Sequence, residues 1–477
     1  MKCLALVVLL LVVETTARAD RPNMIVVMVD DMGWSDLGCY GGEIRTPNID
    51  LLAANGLRFT SFYNAGRCCP TRASLLTGLY PHQAGVGQMT FDTRRPGYRG
   101  RLGRDTVTLA EVLRAAGYRT AMVGKWHLSL TSRSENTMAN LNNQVIRKSF
   151  SDLQSYPVAR GFEEHYGVIW GVVNYFDPFS LVHNTKPVPE VPKDYYITDA
   201  LTDTAVDYIE KYSRGEEPFF LYLAHTAPHW PLHALPEDIA RYTDTYEPGW
   251  EAVRNARYKR QIKMGLVDPD SMPLSKRAGR ADWKANVSRH WDARAMAVHA
   301  AMIDRVDQGM GRIIAKLKQL KIYQDTLILF LSDNGASPEQ PRRPGFDRNS
   351  ETRDGRTVRY YGASGSRDVL PGAETTYAGI GPDWANVSNT PFRYHKATQH
   401  EGGIRTPLIA HWPAGLKTKA GSLTRQSGHV IDIMATCVDL AGTKYPQKFA
   451  NHPIKPLEGK SLAPIFAGEK RTAHEAL

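Results

Sequence analysis

Two adjacent thiols and a guanidinium lie close together in the run Arg67-Cys68-Cys69-Pro70-Thr71-Arg72-Ala73-Ser74-Leu75-Leu76-Thr77-Gly78. Pro70 near a first helical position and Gly78 as a stop predict a helix over residues 71–77. The start of such a helix offers free backbone N–H groups and the positive end of its dipole, which favour a tetrahedral anion such as sulfate or phosphate. Arg72 adds a fixed fork of donors to that setting. A buried structural pair of cysteines, or a vicinal disulfide, is the competing reading of the same residues.

Oxygen ligands come in two pairs. Asp30-Asp31 follows an apolar run at residues 24–29 and precedes Gly33, and Asp333-Asn334 follows a second run at 327–331 and precedes Gly335. Three carboxylates and an amide oxygen, without histidine or thiolate among them, suit a hard cation, Ca²⁺ or Mg²⁺. Either pair alone is also ordinary turn chemistry. In Lys125-Trp126-His127, extended backbone puts the lysine and histidine on one face and Trp126 on the other, so both could reach one anion. His229 stands between Pro228 and Trp230-Pro231, and Lys396 precedes Thr398, Glu401, Gly402 and Gly403. Taken singly, that histidine reads as packed and that lysine as a surface residue.

The elements that must position these groups read as an alternating α/β chain. Short apolar runs at 24–29, 120–124, 219–223 and 327–331 predict buried strands, each passing directly into polar or histidine-bearing residues. Helical patterns lie at 108–116, 202–212 and 293–320, the last with Met296, Ile303, Val306, Met310, Ile313, Ile314 and Leu317 on one stripe. In open α/β sheets ligands bind beyond the carboxyl ends of the strands, which is where every candidate above falls. Two stretches, 232–291 and 337–391, rich in Gly, Pro, Arg and Asp, read as irregular and either shape a substrate pocket or decorate the surface.

Met1-Lys2, the apolar run from Leu4 to Val13 and Ala17-Arg18-Ala19 read as a secretory signal over residues 1–19, leaving 20–477 as one catalytic domain. No later run approaches the length of a membrane span, so a secreted or periplasmic location without membrane insertion is expected. Cys39, Cys68, Cys69 and Cys437 then remain, too few to staple the fold, with their pairing undetermined. A formal net charge of +10 suits anionic substrates. The basic residues are dispersed apart from a cluster at 254–263, with no nucleic-acid signature.

Together these segments resemble the formylglycine-dependent sulfatases of the alkaline phosphatase superfamily, in motif order from Pro22 to Glu475. The resemblance rests on Asp-Asp-Met-Gly, C-x-P-x-R with Leu-Leu-Thr-Gly, Gly-Lys-Trp-His, Ala-Pro-His-Trp-Pro, Ser-Asp-Asn-Gly and Lys-x-Thr-x-x-Glu-Gly-Gly. Residues 384–392 further look like the bacterial arylsulfatase branch. The resemblance implies an alkaline phosphatase-like fold, a large mixed, mostly parallel sheet flanked by helices. It also implies a small C-terminal antiparallel subdomain, which is expected to be missing or truncated in this chain.

It further implies that a formylglycine-generating enzyme oxidises Cys68 to formylglycine, whose hydrate attacks a sulfate monoester of a phenol, small molecule or glycan. Asp30, Asp31, Asp333, Asn334 and the modified Cys68 would bind Ca²⁺ or Mg²⁺, and Arg72 would steady the hydrate. Lys125, His229 and Lys396 would hold sulfate, Asp333 would take the hydrate's proton, and His127 would help release sulfate. A phosphonate monoester or phosphodiester hydrolase with the same nucleophile is the rival reading. A non-catalytic binder of sulfated glycans with an unmodified Cys68 is another. His225 and His400 depart from the usual pattern, and either lines the pocket or packs.

Overall fold

A computed structural model describes residues 21–132, 149–277, 282–345, 347–360 and 369–475. The expected leader at 1–19 lies outside the described residues. The four predicted strands form, each slightly longer than its apolar run, and they lie side by side in a ten-stranded sheet. In chain order its strands are β1 (Asn23–Val29), β2 (Leu57–Phe59), β3 (Arg119–Gly124), β4 (Glu164–Val168) and β5 (Leu181–His183). They continue with β6 (Lys186–Pro187), β7 (Phe219–Ala224), β8 (Thr326–Ser332), β9 (Leu408–His411) and β10 (Ser422–Thr424). The spatial order is β10-β2-β9-β8-β1-β7-β3-β4-β5-β6.

Strands β8, β1, β7, β3 and β4 run parallel, and β9, β5 and β6 add antiparallel neighbours on either side. Parallel strands are buried on both faces, which is why these sequences are continuously apolar rather than alternating. Even and odd residues of β1 divide between two cores. Ile25, Val27 and Val29 pack with helices α1 (Pro47–Ala54), α4 (Ile197–Ser213) and α6 (Arg289–Gln319). Met24, Val26 and Met28 pack with α2 (Cys68–Thr77), α3 (Leu109–Ala115) and α7 (Ile431–Leu440). The fold is the expected alkaline phosphatase-like α/β arrangement.

Register sets the level of the site. Val29 pairs with Ser332, Met28 with Ala224, and Ala224 with Gly124, so the strands end together and their following residues emerge at one edge.

Two local expectations are corrected. Helix α2 begins at Cys68 rather than at residue 71, because Pro70 needs no N–H within the first turn and need not mark the first position. Gly78 does end it, in the left-handed conformation. The stretch 232–291 is not irregular throughout, since it contains α5 (Trp250–Lys263). The basic cluster at 254–263 lies on that helix, and its Arg257 is buried against Asp36 at 2.7 Å and Glu43 at 2.6 Å. Among the described residues no helix is long and apolar enough to cross a membrane.

Candidate active site

Asp30 is the first residue past β1, and Asp31 takes a left-handed backbone conformation at φ 69°. That turn at Asp31, rather than Gly33, swings both carboxylates toward one centre. From the adjacent end of β8, Asp333 accepts from the Asp31 amide at 3.2 Å through Oδ1, and Asn334 Nδ2 donates to Asp31 Oδ1 at 2.6 Å. Gly335 is needed for close approach: a Cβ there would lie 1.8 Å from the Gly402 carbonyl oxygen. Its amide donates to Gly403 O at 3.0 Å, locking the 333–336 loop to the 396–403 loop that carries Lys396.

Helix α2 is buried along its whole length and aims its first turn at this centre. Arg72, one turn in, donates to Asp333 Oδ2 at 2.8 and 3.2 Å and to the Lys125 carbonyl at 2.8 Å, and lies 3.5 Å from Asp30. Lys125, past the end of β3, donates to Asp30 Oδ2. Trp126 points the other way, its Nε1 donating to Ser155 O at 2.8 Å, as alternation predicts. His127, at φ 55°, turns back so that its ring nitrogen, Cys68 Sγ and Cys69 Sγ lie within 4.8 Å of one another. Lys396 Nζ donates to Asp31 at 2.9 Å and sits 3.3 Å from His229 Nε2. Every residue expected at the site is therefore brought together there.

Charge is balanced tightly. Burial alone would raise the pKa of Asp30, but Lys125, His229 and Arg72 outweigh it and hold it at about 2. Asp333 is pushed well above the carboxylate range by burial and by Asp30, against the pull of Arg72. The Cys68 sulfur is held well below the usual thiol range by a hydrogen bond from Cys69, with Lys125 and His127 overcoming burial, whereas burial pushes Cys69 up. Burial lowers His127 to about 4, so its imidazole is neutral at pH 7. Burial would lower Lys396, but Asp31 and Glu339 keep its ammonium charged.

These residues fit a cation. Asp30 Oδ1 and Asn334 Oδ1 are buried without a hydrogen-bond partner, and three carboxylates crowd one buried centre. Oxygens left so are costly in a dry interior and suit a hard divalent ion. Among the described residues no disulfide competes for the thiols: Cys39, Cys68, Cys69 and Cys437 are all free and buried.

Sequence reasoning missed Glu339, whose Oε2 accepts from Trp230 Nε1 at 2.9 Å, Ser337 Oγ at 3.0 Å and Lys396 Nζ at 3.3 Å. Its only signal was a carboxylate shortly after the Asp333-Asn334 pair in a stretch read as irregular. Trp170, packed edge-on against His127 at 5.4 Å, was also missed. His225 is fully buried and packs, while His400 is exposed and stacks with Tyr394 at 4.6 Å.

A family model described as Sulfatase matches residues 22–443. The chain is 33% identical to an arylsulfatase of Klebsiella aerogenes over 477 residues, spanning 97% of this chain and 95% of that one. It is 32% identical to an uncharacterized sulfatase of Schizosaccharomyces pombe, over 95% of this chain and 81% of the relative. Among solved structures, Ps i-CgsB in complex with k-i-k-neocarrahexaose matches with a TM-score of 0.62 at 28% identity, covering 94% of this chain and 76% of that one.

Proposed function

Because the chain belongs to the sulfatase family and is a sulfuric ester hydrolase, we propose that Cys68 is its reacting position, converted to formylglycine by a formylglycine-generating enzyme. The observation that carries this reading is the convergence on Cys68, at the first turn of α2, of Lys125 and His127 from beyond β3 and of Asp333 from beyond β8, with Arg72 of α2 itself beside them. A hydrated aldehyde at this position supplies one hydroxyl to attack sulfur and a second whose oxygen later expels sulfate. Asp30, Asp31, Asp333, Asn334 and the modified Cys68 would hold Ca²⁺ or Mg²⁺, which supplies Lewis acidity toward a sulfate oxygen.

The chain's own groups account for the rest. Lys125, His229 and Lys396 line the space beside Cys68 as donors for sulfate oxygens, and fixed cations in a dry site gain most as charge spreads in the transition state. Asp333, held by Arg72 beside Cys68, is placed to receive a proton at its carboxylate. Lys396 and His229, in contact, stand where the departing oxygen needs a proton. Neutral His127 can take one from the Cys68 position in the second half of the reaction. Arg72 acts on Asp333 and fixes its orientation.

The substrate is an aryl or carbohydrate sulfate, and the enzyme works in a secreted or periplasmic setting. Peptide mass spectrometry across residue 68, on protein co-produced with a formylglycine-generating enzyme, should find the aldehyde in place of the thiol. Cys68→Ala should abolish hydrolysis of p-nitrophenyl sulfate while leaving the melting temperature close to that of the parent. Full turnover by that variant overturns the reading.

A further inference from the structure

Around Lys396 the depth of each partner differs. The side chains of Asp31, Lys396 and His229 are 2%, 4% and 7% exposed, whereas that of Glu339 is 41% exposed. A sulfate held by the deep groups must send its organic part outward, past the rim that Glu339 occupies. Three donors converge on Glu339 Oε2, from Trp230, Ser337 and Lys396, and fix the carboxylate plane. Among the described residues, no hydrogen bond occupies Oε1. Glu339 and Trp230 also line one small cavity with Asp31 and Pro228, so the indole and the carboxylate face the same space.

A carboxylate here is costly for binding an anionic ester, because it sits beside the lysine proposed to hold sulfate. Although burial acts to raise its pKa, Lys396 and His229 bring it to about 2, so it is charged wherever the enzyme works. Such an oxygen gains if the substrate brings a donor to it, and a donor-reading site discriminates strongly against analogues that lack one.

We propose that Glu339 is a specificity-determining residue whose Oε1 accepts a hydrogen bond from a hydroxyl or ammonium group next to the sulfate ester. The inference rests on the sulfatase reading of the site and narrows its substrates to sulfate esters with a neighbouring donor, as on a sugar ring. The test is kcat/KM for catechol monosulfate and for phenyl sulfate, followed by sulfate release, in the parent enzyme and in Glu339→Gln and Glu339→Ala.

Both substrates should lose some turnover in the variants, since Lys396 loses a partner. The ratio of catechol monosulfate to phenyl sulfate should fall on the order of ten-fold in Glu339→Ala, and by less in Glu339→Gln, which keeps an acceptor. Phenyl sulfate hydrolysis by the variants reports that they are folded. An unchanged ratio, whether both rates fall together or neither falls, overturns the inference and leaves Glu339 as a support for Lys396. A parent enzyme that carries formylglycine at residue 68 yet hydrolyses neither ester overturns the inference, since a donor beside the ester then does not suffice for recognition, while a parent with an unmodified thiol at residue 68 overturns the reading of the site on which the inference rests.

Discussion

Arg72 and Arg257 are both fully buried arginines paired with carboxylates, yet only Arg72 lies in the cluster that suits a cation. Arg72→Met removes two hydrogen bonds to Asp333, one to the Lys125 carbonyl and the attraction of Asp30 at 3.5 Å. Breaking a buried pair by deleting one partner costs about 3–5 kcal/mol. Arg257→Met, which takes their shared arginine from Asp36 and Glu43, falls in the same range. Calcium should separate the two.

In the parent, Asp30, Asp31 and Asp333 face Arg72, Lys125 and Lys396; removing Arg72 takes one positive charge away from around two unpartnered oxygens, Asp30 Oδ1 and Asn334 Oδ1. A divalent ion bound there at a hundred times its dissociation constant returns about 2.7 kcal/mol to the folded state. Denaturant unfolding of parent and both variants, in CaCl₂ and in EDTA, is the assay. Because the parent gains from the ion as well, the Arg72→Met deficit should shrink in CaCl₂ by as much as the loss of the guanidinium's positive charge tightens the variant's hold on the ion, and the Arg257→Met deficit should be the same in both buffers. A deficit for Arg72→Met that is equal in the two buffers, or below about 1 kcal/mol, would refute the reasoning.

Acid should destabilise the protein through histidines that the fold keeps neutral. His165, His225, His233 and His429 are lowered by burial from 6.5 to about 4, so the unfolded chain binds more protons between those values. Stability is therefore full above pH 6.5 and is lost as pH falls toward 4. Urea midpoints at pH 7, 5.5 and 4.5 check this, and a flat profile contradicts it. Gly335→Ala should cost about 1–3 kcal/mol and reduce kcat, because a Cβ 1.8 Å from Gly402 O forces the Asn334 and Lys396 loops apart. Parental melting temperature and turnover in that variant would show that the two loops need not touch.

Much of the site was legible in the chain because parallel strands impose a simple rule. Each buried run had to end somewhere, and the residues just past Val29, Gly124, Ala224 and Ser332 had to emerge at a common edge. Residue type then narrowed the chemistry: oxygen pairs for a hard ion, a thiol at a helix start, and lysine and histidine for an anion. Local sequence therefore determined the α/β class, the buried strands and the Cys68 helix, since those depend on apolar runs and turn residues within a few positions.

Tertiary structure decided what no local pattern carries. Glu339 was one carboxylate among many in a Gly- and Pro-rich stretch until Trp230, Ser337 and Lys396 converged on it. Arg257 was one basic residue of the 254–263 cluster until burial against Asp36 and Glu43 made it a structural tie. His225, a candidate for the pocket by type and place, is fully buried, and neither ring nitrogen has a hydrogen-bond partner among the described residues. The physical reason is common to all three. Burial and the identity of a partner hundreds of positions or one sheet layer away set what a charged or ring side chain does, and those are properties of the packed molecule rather than of the residues beside it in sequence.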